Sequence, residues 1–423
     1  MEGICVECVI IGNSVAGISA SEAIRANDRN GTITIISKEN YMAYGRPLIS
    51  YLLANKIERD KIFLRDENFY EKKKINVLLG MEAVKINVKR NEVFLSNGKS
   101  LNYDKLLIAT GGSPIRLPVQ DVETQGIFHF NMLDDVFAIE KVLEKVNSAV
   151  VIGGGLIGLK ATEALTERGI KVTMIELMNK VLPTVLDDES AMIFADSLKK
   201  DNANLELKNT VEKIVVKNGK VSGVILKDKK EIECQMVIVA IGVRPNIKIT
   251  EGTGIKVNRG IIVNEKMETN VENIYAAGDV TEAYDILYKD KRSVPIWHSA
   301  YQQGEIAGEN MSGLETRYDG TCSMNSIGYK DTHMISIGII NTDNSSVEIL
   351  KKFERDKGIY KRMNIVDKKL IGAIFVGDVA NKGIITNLIK KGVDVSPYKS
   401  RLLEDDFGLV DLDKEFRIKL LKS

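Results

Sequence analysis

The sequence is poor in the residues that would signal a disulfide scaffold, a metal centre or a nucleic-acid partner. Its 423 residues include only four cysteines, three histidines and one tryptophan, and the formal net charge is +1. Four scattered cysteines are too few for a disulfide framework. A nearly neutral chain has no basic or acidic field to attract nucleic acid or a membrane surface. We therefore expect neither as a partner.

Long hydrophobic runs are also missing, since no apolar stretch approaches the ~20 residues of a membrane helix. The first apolar strand begins almost at Met1, so we expect no signal peptide and a cytoplasmic protein. Hydrophobic residues still make up 44% of the chain, which is enough for full cores. The length implies roughly two to three domains.

The N-terminus has the pattern of a strand, a glycine turn, a helix and a second strand. Residues 9–11 are apolar and lead into the turn at 12–17, and a β-branched run follows at 32–36. In such a unit the turn lets backbone N–H groups approach a pyrophosphate at the helix N-terminus. The dinucleotide pattern favours glycine at the middle position, which is Ser14 here, so an ordinary strand–helix turn stays an alternative.

A second unit of this kind carries the full glycine pattern. Strand 149–152 leads into residues 153–158 (Gly-Gly-Gly-Leu-Ile-Gly), and a second strand ends in Glu176. The acid lies about 20 residues after the first glycine, as expected for a carboxylate that holds a ribose 2′-hydroxyl. Glu176 would repel a 2′-phosphate, and no arginine lies within 177–181, so we predict NAD rather than NADP. A solvated strand end is the alternative. The candidate NAD residues are Gly153, Gly155, Leu156, Ile157, Gly158, Glu176 and Gly242.

Other turns also offer groups that suit a cofactor. Arg46, in a Gly-Arg-Pro turn, is a planar cation that suits a pyrophosphate or an electron-rich ring, and a solvated arginine at a turn is the alternative. Small-residue turns follow apolar strands at 109–112 (Ala-Thr-Gly-Gly) and 276–279 (Ala-Ala-Gly-Asp). A helix is predicted to begin near His298 or Ser299.

Together these features resemble the pyridine nucleotide–disulfide oxidoreductase superfamily of FAD flavoproteins, in the expected order over about residues 1–320. Residues 44–50 (Tyr-Gly-Arg-Pro-Leu-Ile-Ser) look like NADH–rubredoxin and oxygenase-linked ferredoxin reductases, and like the flavoprotein part of assimilatory nitrite reductases. Residues 372–378, followed by Lys382 and Gly383, are similar to the C-terminal domain of the rubredoxin-reductase group.

The resemblance implies an α/β fold with two Rossmann-like domains and a C-terminal α+β domain. The implied boundaries are 1–118 and 245–318 for the FAD domain, 119–244 for the NAD domain and 319–423 for the C-terminal domain. The implied FAD contacts are Gly12, Ser14 and Gly17 at the pyrophosphate, Ser37 or Glu39 at the adenosine ribose, Ala83 at the adenine, Arg46 and Pro47 beside the flavin, Thr110 and Gly111 near the phosphates, Gly278 and Asp279 at the ribityl chain, and the helix opening near His298 at the flavin.

The sequence departs from the superfamily in its cysteines. Disulfide reductases carry a cysteine pair beside the flavin, and the peroxide- and oxygen-reducing relatives carry one cysteine, whereas residues 41–53 contain none. Cys5 and Cys8 form a C-x-x-C that leads directly into the first strand. With no second pair to complete a metal site, we predict no metal.

Lys160 is the second departure. The superfamily commonly carries glutamate two residues past the last glycine of the NAD motif, and this chain has a lysine there. Lys160 would either stabilise reduced, anionic flavin or direct its ammonium group to solvent, and the sequence leaves both open.

The leading functional prediction is an NADH-dependent FAD oxidoreductase. With no cysteine relay, electrons would leave the flavin directly for a separate small iron–sulfur carrier, rubredoxin or ferredoxin, and the reverse direction stays open. One alternative is an NADH oxidase that reduces oxygen. Another is a non-catalytic flavoprotein that acts through a partner interface, although the intact NAD motif argues against it. The C-terminal domain would form a homodimer interface or a docking surface for a partner.

Overall fold

The structure is a computed structural model that describes residues 6–117, 124–201, 203–414 and 417–418. The chain divides into two compact units. Unit 1 consists of Met1–Ile49, Ile57–Ser113 and Val243–Thr321. Unit 2 consists of Ser50–Lys56, Pro114–Gly242 and Cys322–Ser423.

Strands outnumber helices in the described residues. The α-helices in the described residues are α1 (Val15–Asn27), α2 (Ile49–Leu53), α3 (Phe69–Lys72), α4 (Leu133–Leu143), α5 (Leu156–Glu167), α6 (Asp188–Lys200), α7 (Trp297–Met311) and α8 (Gly383–Lys391). The strands are β1 (Glu7–Ile11), β2 (Thr32–Ile36), β3 (Ile75–Leu78), β4 (Ala83–Asn87), β5 (Glu92–Leu95), β6 (Ser100–Asn102), β7 (Lys105–Ile108), β8 (Gly112–Pro114), β9 (Ile127–Phe128), β10 (Ser148–Ile152), β11 (Lys171–Glu176), β12 (Ala203–Leu207), β13 (Val211–Lys217), β14 (Lys220–Leu226), β15 (Glu231–Glu233), β16 (Met236–Val239), β17 (Val243–Pro245), β18 (Ile261–Ile262), β19 (Ile274–Ala276), β20 (Thr281–Asp285), β21 (Asp290–Arg292), β22 (Met324–Tyr329), β23 (Thr332–Gly338), β24 (Glu348–Glu354), β25 (Ile359–Val366) and β26 (Lys369–Val376). None of these helices combines the length and the apolar character needed to cross a membrane.

Unit 1 is built on a five-stranded parallel sheet in the order β19-β7-β1-β2-β3. In β1 the four successive residues 8–11 are all buried, so both faces of the sheet are covered. This explains why the strand is a continuous apolar run rather than an alternating one. The carboxyl ends of β1 and β7 lie side by side, because Ile11 pairs with Ile108. The turns that follow them therefore share one edge of the sheet.

Helices α1 and α7 pack closely in unit 1 because α7 has glycine where the two backbones meet. A Cβ atom at Gly304 would lie 2.2 Å from the carbonyl oxygen of Ala16, and one at Gly308 would lie 2.4 Å from that of Ala20. Gly278, just after β19, lies against the same helices, since a Cβ there would be 3.3 Å from Ala16. The end of β19 is thus held beside both helices.

Unit 2 contains a second five-stranded parallel sheet, in the order β12-β11-β10-β16-β9. A three-stranded antiparallel sheet, β13-β14-β15, follows it in the chain. The turn between β13 and β14 has positive φ at Asn218 (52°) and Gly219 (76°). The alternating apolar and polar residues around Asn218-Gly219, within 206–230, predict a hairpin, and the structure confirms it.

The last part of unit 2 is an antiparallel sheet in the order β22-β23-β26-β25-β24, followed by α8. This sheet shares a buried core with α6, which includes Phe194, Leu198, Tyr360 and Ile374. It corresponds to the predicted C-terminal α+β domain.

Most element predictions from the sequence are confirmed, with small shifts. The helix predicted to begin near His298 or Ser299 begins at Trp297. Strand β22 was not predicted, because its residues are mostly half-buried and lack a strong apolar pattern. The predicted boundary at residue 118 lies outside the described residues, and the three-domain division stays a prediction.

Candidate functional site

The first glycine turn, in unit 1, has no room for side chains at two positions. Gly12 has φ +125°, and a Cβ there would lie 2.1 Å from the carbonyl oxygen of Ala109. A Cβ at Gly17 would lie 2.0 Å from the carbonyl oxygen of Gly12. Only glycine fits either position. Ser14 has extended backbone and its side chain makes no capping hydrogen bond to α1.

The second glycine turn, in unit 2, repeats this geometry. Gly153 has φ +107°, and a Cβ there would lie 2.4 Å from the carbonyl oxygen of Ala240. A Cβ at Gly158 would lie 1.9 Å from that of Gly153. Around Gly155, which precedes α5, there is no heavy atom within 4 Å of a Cβ. The serine of the first turn has therefore not altered the backbone arrangement that both turns share.

Glu176 at the end of β11 is fixed over the second turn. Its carboxylate accepts hydrogen bonds from the backbone N–H of Gly154 (2.6 Å) and of Met178 (2.8 Å). The residue is 8% exposed, so it is not a solvated strand end. One cation does follow it, Lys180, and that side chain forms an ion pair with Asp188 (2.9 Å).

Arg46 in unit 1 is the centre of a small charged cluster. It forms an ion pair with Glu39, and its Nη1 lies 3.3 Å from the hydroxyl of Tyr44. The Tyr44 hydroxyl also donates a hydrogen bond to Glu39. Burial lowers the pKa of Arg46, but the charges of Tyr44 and Glu39 together raise it by more. The pKa of Arg46 therefore lies above its ordinary value. Arg46 is therefore an anchored cation rather than a freely solvated one.

Asp279 lies within electrostatic reach of Arg46. Burial raises the pKa of its carboxyl, the charge of Arg46 lowers it, and burial prevails. Gly278 before it has φ +83°. The structure thus brings together two residues that the resemblance assigned to the flavin and to its ribityl chain.

The two candidates for the adenosine ribose are both engaged in local contacts. Ser37 is buried and its hydroxyl donates to the carbonyl oxygen of Glu39 (2.8 Å). The carboxylate of Glu39 is held by Arg46 and Tyr44. Ala83 opens β4 and is half-buried. The ribose and adenine roles of these residues stay predictions.

Thr110 is joined to Asn246 by two hydrogen bonds. The Thr110 hydroxyl donates to the Asn246 carbonyl oxygen (2.9 Å), and the Asn246 amide donates to the Thr110 carbonyl oxygen (2.8 Å). At Gly111 φ is +62° and no heavy atom lies within 4 Å of a Cβ. In unit 2, Gly242 also has positive φ (+113°).

Lys160 does not extend into solvent, because only 16% of its side chain is exposed. It forms an ion pair with Glu163 one turn along α5, and its Nζ lies 4.7 Å from the ring centroid of Tyr51. Its effect on a flavin stays a prediction. Pro47 and His298 are exposed.

Two residues that the sequence did not single out support the turns in unit 1. The Tyr70 hydroxyl donates to the Asn13 side chain (2.7 Å) and accepts from the backbone N–H of Ala43 (3.2 Å). Gln303 on α7 is buried and bonded to the Gly278 backbone. No sequence pattern points to Tyr70. Gln303 gave a signal, because it is a polar residue among the small residues Ala300, Gly304 and Ala307 of α7.

The described cysteines, Cys8, Cys234 and Cys322, are all buried, and no disulfide joins any two of them. Burial raises the pKa of Cys8 and of Cys234 to about 12. Those two thiols are therefore protonated at neutral pH and are poor nucleophiles. Cys5 lies outside the described residues, and within them no group of three or more His, Cys, Asp or Glu could hold a metal.

These features fit one dinucleotide in each unit. Each unit has a turn whose first and last glycines leave no room for a side chain, with a helix N-terminus behind it. In unit 2 the carboxylate of Glu176 is also bonded to the turn. Open space lies beside Gly111 in unit 1 and Gly155 in unit 2.

Comparisons with known proteins agree with this assignment. The family described as pyridine nucleotide-disulphide oxidoreductase matches residues 6–304, and the rubredoxin NAD+ reductase C-terminal domain matches residues 324–393. The chain is 30% identical over 392 residues to a nitrite reductase (NAD(P)H) of Bacillus subtilis, covering 92% of this chain and 48% of the relative. It therefore spans about half the length of that relative.

Two other relatives are matched over most of their length. An NADH oxidase of Methanocaldococcus jannaschii is 34% identical over 319 residues, covering 73% of this chain and 71% of the oxidase. The NADH–rubredoxin oxidoreductase of Clostridium acetobutylicum is 28% identical over 388 residues, covering 92% and 94%. The solved structure of that enzyme superposes with a TM-score of 0.77 at 26% identity, over 92% of this chain and 96% of the other.

From the match over residues 6–304, together with the geometry of the two turns, we conclude that the chain belongs to the pyridine nucleotide-disulphide oxidoreductase family and uses FAD and NAD(H) as its cofactors.

Proposed function

We propose that this protein is an NADH-dependent FAD oxidoreductase that passes electrons to a small iron–sulfur carrier, rubredoxin or ferredoxin. The observation that carries the proposal is that the residues around Arg46 include no cysteine. Where disulfide reductases hold their redox cysteines, residues 41–53 hold none, and the buried Tyr44 is hydrogen-bonded to Glu39. Electrons would then leave the flavin without a thiol intermediate. The match of residues 324–393 to the rubredoxin-reductase C-terminal domain supports a carrier as acceptor.

In unit 2 the chain would bind NADH through backbone groups and one carboxylate. The N-terminus of α5, preceded by Gly153 and Gly155, would receive the pyrophosphate. Glu176 would accept hydrogen bonds from the ribose hydroxyls, and its negative charge would repel the 2′-phosphate of NADPH. Because two backbone N–H groups hold this carboxylate in place, it would already be oriented toward the ribose before NADH binds.

In unit 1 the FAD would be held from three sides. The turn at Gly12, Ser14 and Gly17 would receive the pyrophosphate, and Arg46 would place a fixed positive charge near the flavin. Asp279 would accept a hydrogen bond from the ribityl chain, and the positive end of α7 would favour negative charge on the ring. When bound, FAD would accept two electrons from NADH and release them one at a time.

The finer features of this proposal follow from the sequence. We propose that the protein is cytoplasmic and that the C-terminal domain either pairs with a second copy or docks the carrier. Electron flow from ferredoxin to NAD+ is the same chemistry in reverse.

An NADH oxidase is the second candidate, and the 34% identity to the Methanocaldococcus jannaschii enzyme favours it. Oxygen would then replace the carrier as electron acceptor. The absence of cysteine near Arg46 argues against reduction of oxygen to water, and peroxide would be the expected product.

Anaerobic stopped-flow mixing would test both candidates. The FAD-loaded protein is reduced with NADH and then mixed with rubredoxin, with ferredoxin or with oxygenated buffer. We expect reoxidation by an iron–sulfur protein to be far faster than by oxygen. If oxygen reoxidises the flavin within the turnover time and the carriers do not, the oxidase candidate replaces the carrier reductase. If NADH does not bleach the flavin at all, both fail.

A further inference from the structure

We infer that Gln303 is a positioning residue for FAD, which fixes the Gly278–Asp279 turn from within α7. The inference rests on the proposed FAD site, because Asp279 matters only if a ligand binds beside it. It adds to that site a residue of α7 whose side chain is hydrogen-bonded to the backbone of the turn.

The side-chain oxygen of Gln303 is hydrogen-bonded to the turn around Asp279. Its Oε1 accepts a hydrogen bond from the backbone N–H of Gly278 (2.8 Å) and one from the hydroxyl of Thr281 (2.9 Å). Gly278 precedes Asp279 and Thr281 follows two residues later, so one oxygen holds the chain on both sides of the carboxylate. The Thr281 hydroxyl also lies 2.8 Å from the Gly278 carbonyl oxygen.

The burial of Gln303 makes this oxygen difficult to replace. The residue is 4% exposed, and Thr281 is 2% exposed. Removing the acceptor of a buried backbone N–H destabilises the folded protein by about as much as the loss of a hydrogen bond. The turn of a variant without the acceptor would therefore relax toward solvent, on the side where the ligand is expected.

Such a relaxation would displace Asp279 in particular. Gly278 has φ +83° and is in contact with Ala16 and Ala300, so the turn has few alternative conformations inside unit 1. The Asp279 carboxyl is itself desolvated, which raises its pKa. Once the turn is free, this carboxyl gains hydration by turning outward. FAD binding would then have to reverse that movement.

A role in packing alone makes a different prediction from a role as acceptor. Methionine has nearly the length and volume of glutamine but no acceptor oxygen. Glutamate keeps an acceptor oxygen at the same place. The neighbouring Gln302 is half-buried on the same helix, and Gln302→Met is the matched control.

The experiment compares FAD-loaded wild type with Gln303→Met, Gln303→Glu and Gln302→Met. FAD affinity is measured by flavin fluorescence in a titration of the apoprotein, and apoprotein unfolding is followed separately by circular dichroism. For Gln303→Met we expect FAD to bind about tenfold to a hundredfold more weakly, which is about 1.4 to 2.8 kcal/mol. Gln303→Glu, measured at pH 6 where a buried carboxyl is largely protonated, retains a neutral acceptor oxygen and should lose clearly less affinity than Gln303→Met.

The control should bind FAD as wild type does and unfold at the wild-type midpoint, whereas the Gln303→Met apoprotein should unfold at a somewhat lower midpoint, because it loses the acceptor of two buried donors. Wild-type affinity in Gln303→Met, or equal losses in Gln303→Met and Gln303→Glu, would overturn the inference. So would an equal loss in Gln302→Met.

Two further outcomes keep the inference separate from folding and from the proposed function. If Gln303→Met does not fold, Thr281→Val removes one of the two donors and must still weaken FAD binding. Unchanged binding in that variant overturns the inference. If the wild type itself binds no FAD, the proposed function fails before any variant is compared.

Discussion

At the scale of single residues, the candidate cofactor sites depend on side chains that hold backbone groups in place. Glu176 accepts two backbone N–H groups in unit 2, and Gln303 accepts one in unit 1. In both cases a buried oxygen satisfies donors at a turn that only glycine can form. In the proposed sites, such residues would act on the ligand through the shape of the turn as much as through direct contact.

Glu176 should decide between NADH and NADPH. In Glu176→Gln one side-chain oxygen remains for the backbone, but the negative charge is gone. We expect the ratio of kcat/KM for NADH over NADPH to fall by about tenfold, as for the loss of one short-range charge repulsion. Steady-state rates with ferricyanide as acceptor measure it. Glu212→Gln, on the exposed hairpin of unit 2, is the control, and an unchanged ratio in Glu176→Gln would remove Glu176 from the site.

Thiol chemistry should be dispensable. Since burial raises the pKa of Cys8 and of Cys234 to about 12, both are thiols rather than thiolates at pH 8. We expect N-ethylmaleimide, applied at pH 8 to a Cys5→Ser variant, to leave NADH-driven flavin reduction unchanged. Mass spectrometry of the folded protein should show no rapid adduct on either residue. Fast labelling with loss of flavin reduction would contradict the proposed direct electron transfer.

At the scale of elements, α6 is held at both ends by the C-terminal sheet. Asp187, the N-cap of α6, accepts hydrogen bonds from the Tyr360 hydroxyl and from Arg362 (2.7 Å). At the other end, the Tyr329 hydroxyl donates to Asp201 (2.7 Å). These contacts fix α6 to strands β22 and β25 within unit 2. The shared core between them is therefore supported by polar anchors as well as by apolar burial.

The Asp187 anchor should make the stability of unit 2 depend on acid. Burial raises the pKa of this carboxyl, but hydrogen bonds from Ser190, Tyr360 and Arg362 lower it more, so the folded pKa lies below the ordinary 3.8. Its stabilisation is therefore present above the unfolded pKa and is lost as pH falls through the folded one. We expect Asp187→Asn to be less stable at pH 7 and to lose less stability than wild type between pH 5 and 3, by thermal unfolding.

Tyr360→Phe should lower the free energy of unfolding of unit 2 by about 1.5 to 3 kcal/mol at pH 7, since it removes one hydrogen bond to a charged group. Tyr288→Phe, exposed in unit 1, is the control. If wild type and Asp187→Asn show the same acid dependence, other carboxyls control it.

At the scale of the whole molecule, each cofactor is assigned to one unit. The residues proposed for FAD lie in unit 1, and those proposed for NAD lie in unit 2. The C-terminal sheet shares a buried core with α6, and both lie in unit 2. Unfolding should reflect this division.

Calorimetry of the full chain should therefore resolve two transitions rather than three. A ligand stabilises only the folded state that binds it, by about 2.7 kcal/mol at a hundredfold excess over Kd. We expect FAD to raise the midpoint of one transition and NAD+ to raise the other. A third transition assigned to the C-terminal sheet would favour the three-domain division predicted from the sequence. A shift of both transitions by either ligand would contradict the assignment of one site to each unit.

The sequence by itself determined the local parts of the two sites. The glycine turns, the helices behind them and Glu176 are encoded within about 30 consecutive residues, because backbone conformation and strand–helix periodicity are local properties. The elements around them, including the Asn-Gly hairpin and the start of α7, were predicted to within a residue or two. The sequence therefore indicated the two turns at which a dinucleotide can approach the backbone.

Tertiary structure alone decided which side chains support those turns. Arg46 is paired with Glu39, Tyr70 with Asn13, and Gln303 with Gly278, and α6 is held by Tyr329 and Tyr360. Most of these partners lie far apart along the chain. A hydrogen bond or ion pair depends on distance and direction in space, and residue type and spacing fix neither. The long-range pairs therefore emerged only when the sheets and helices had been packed.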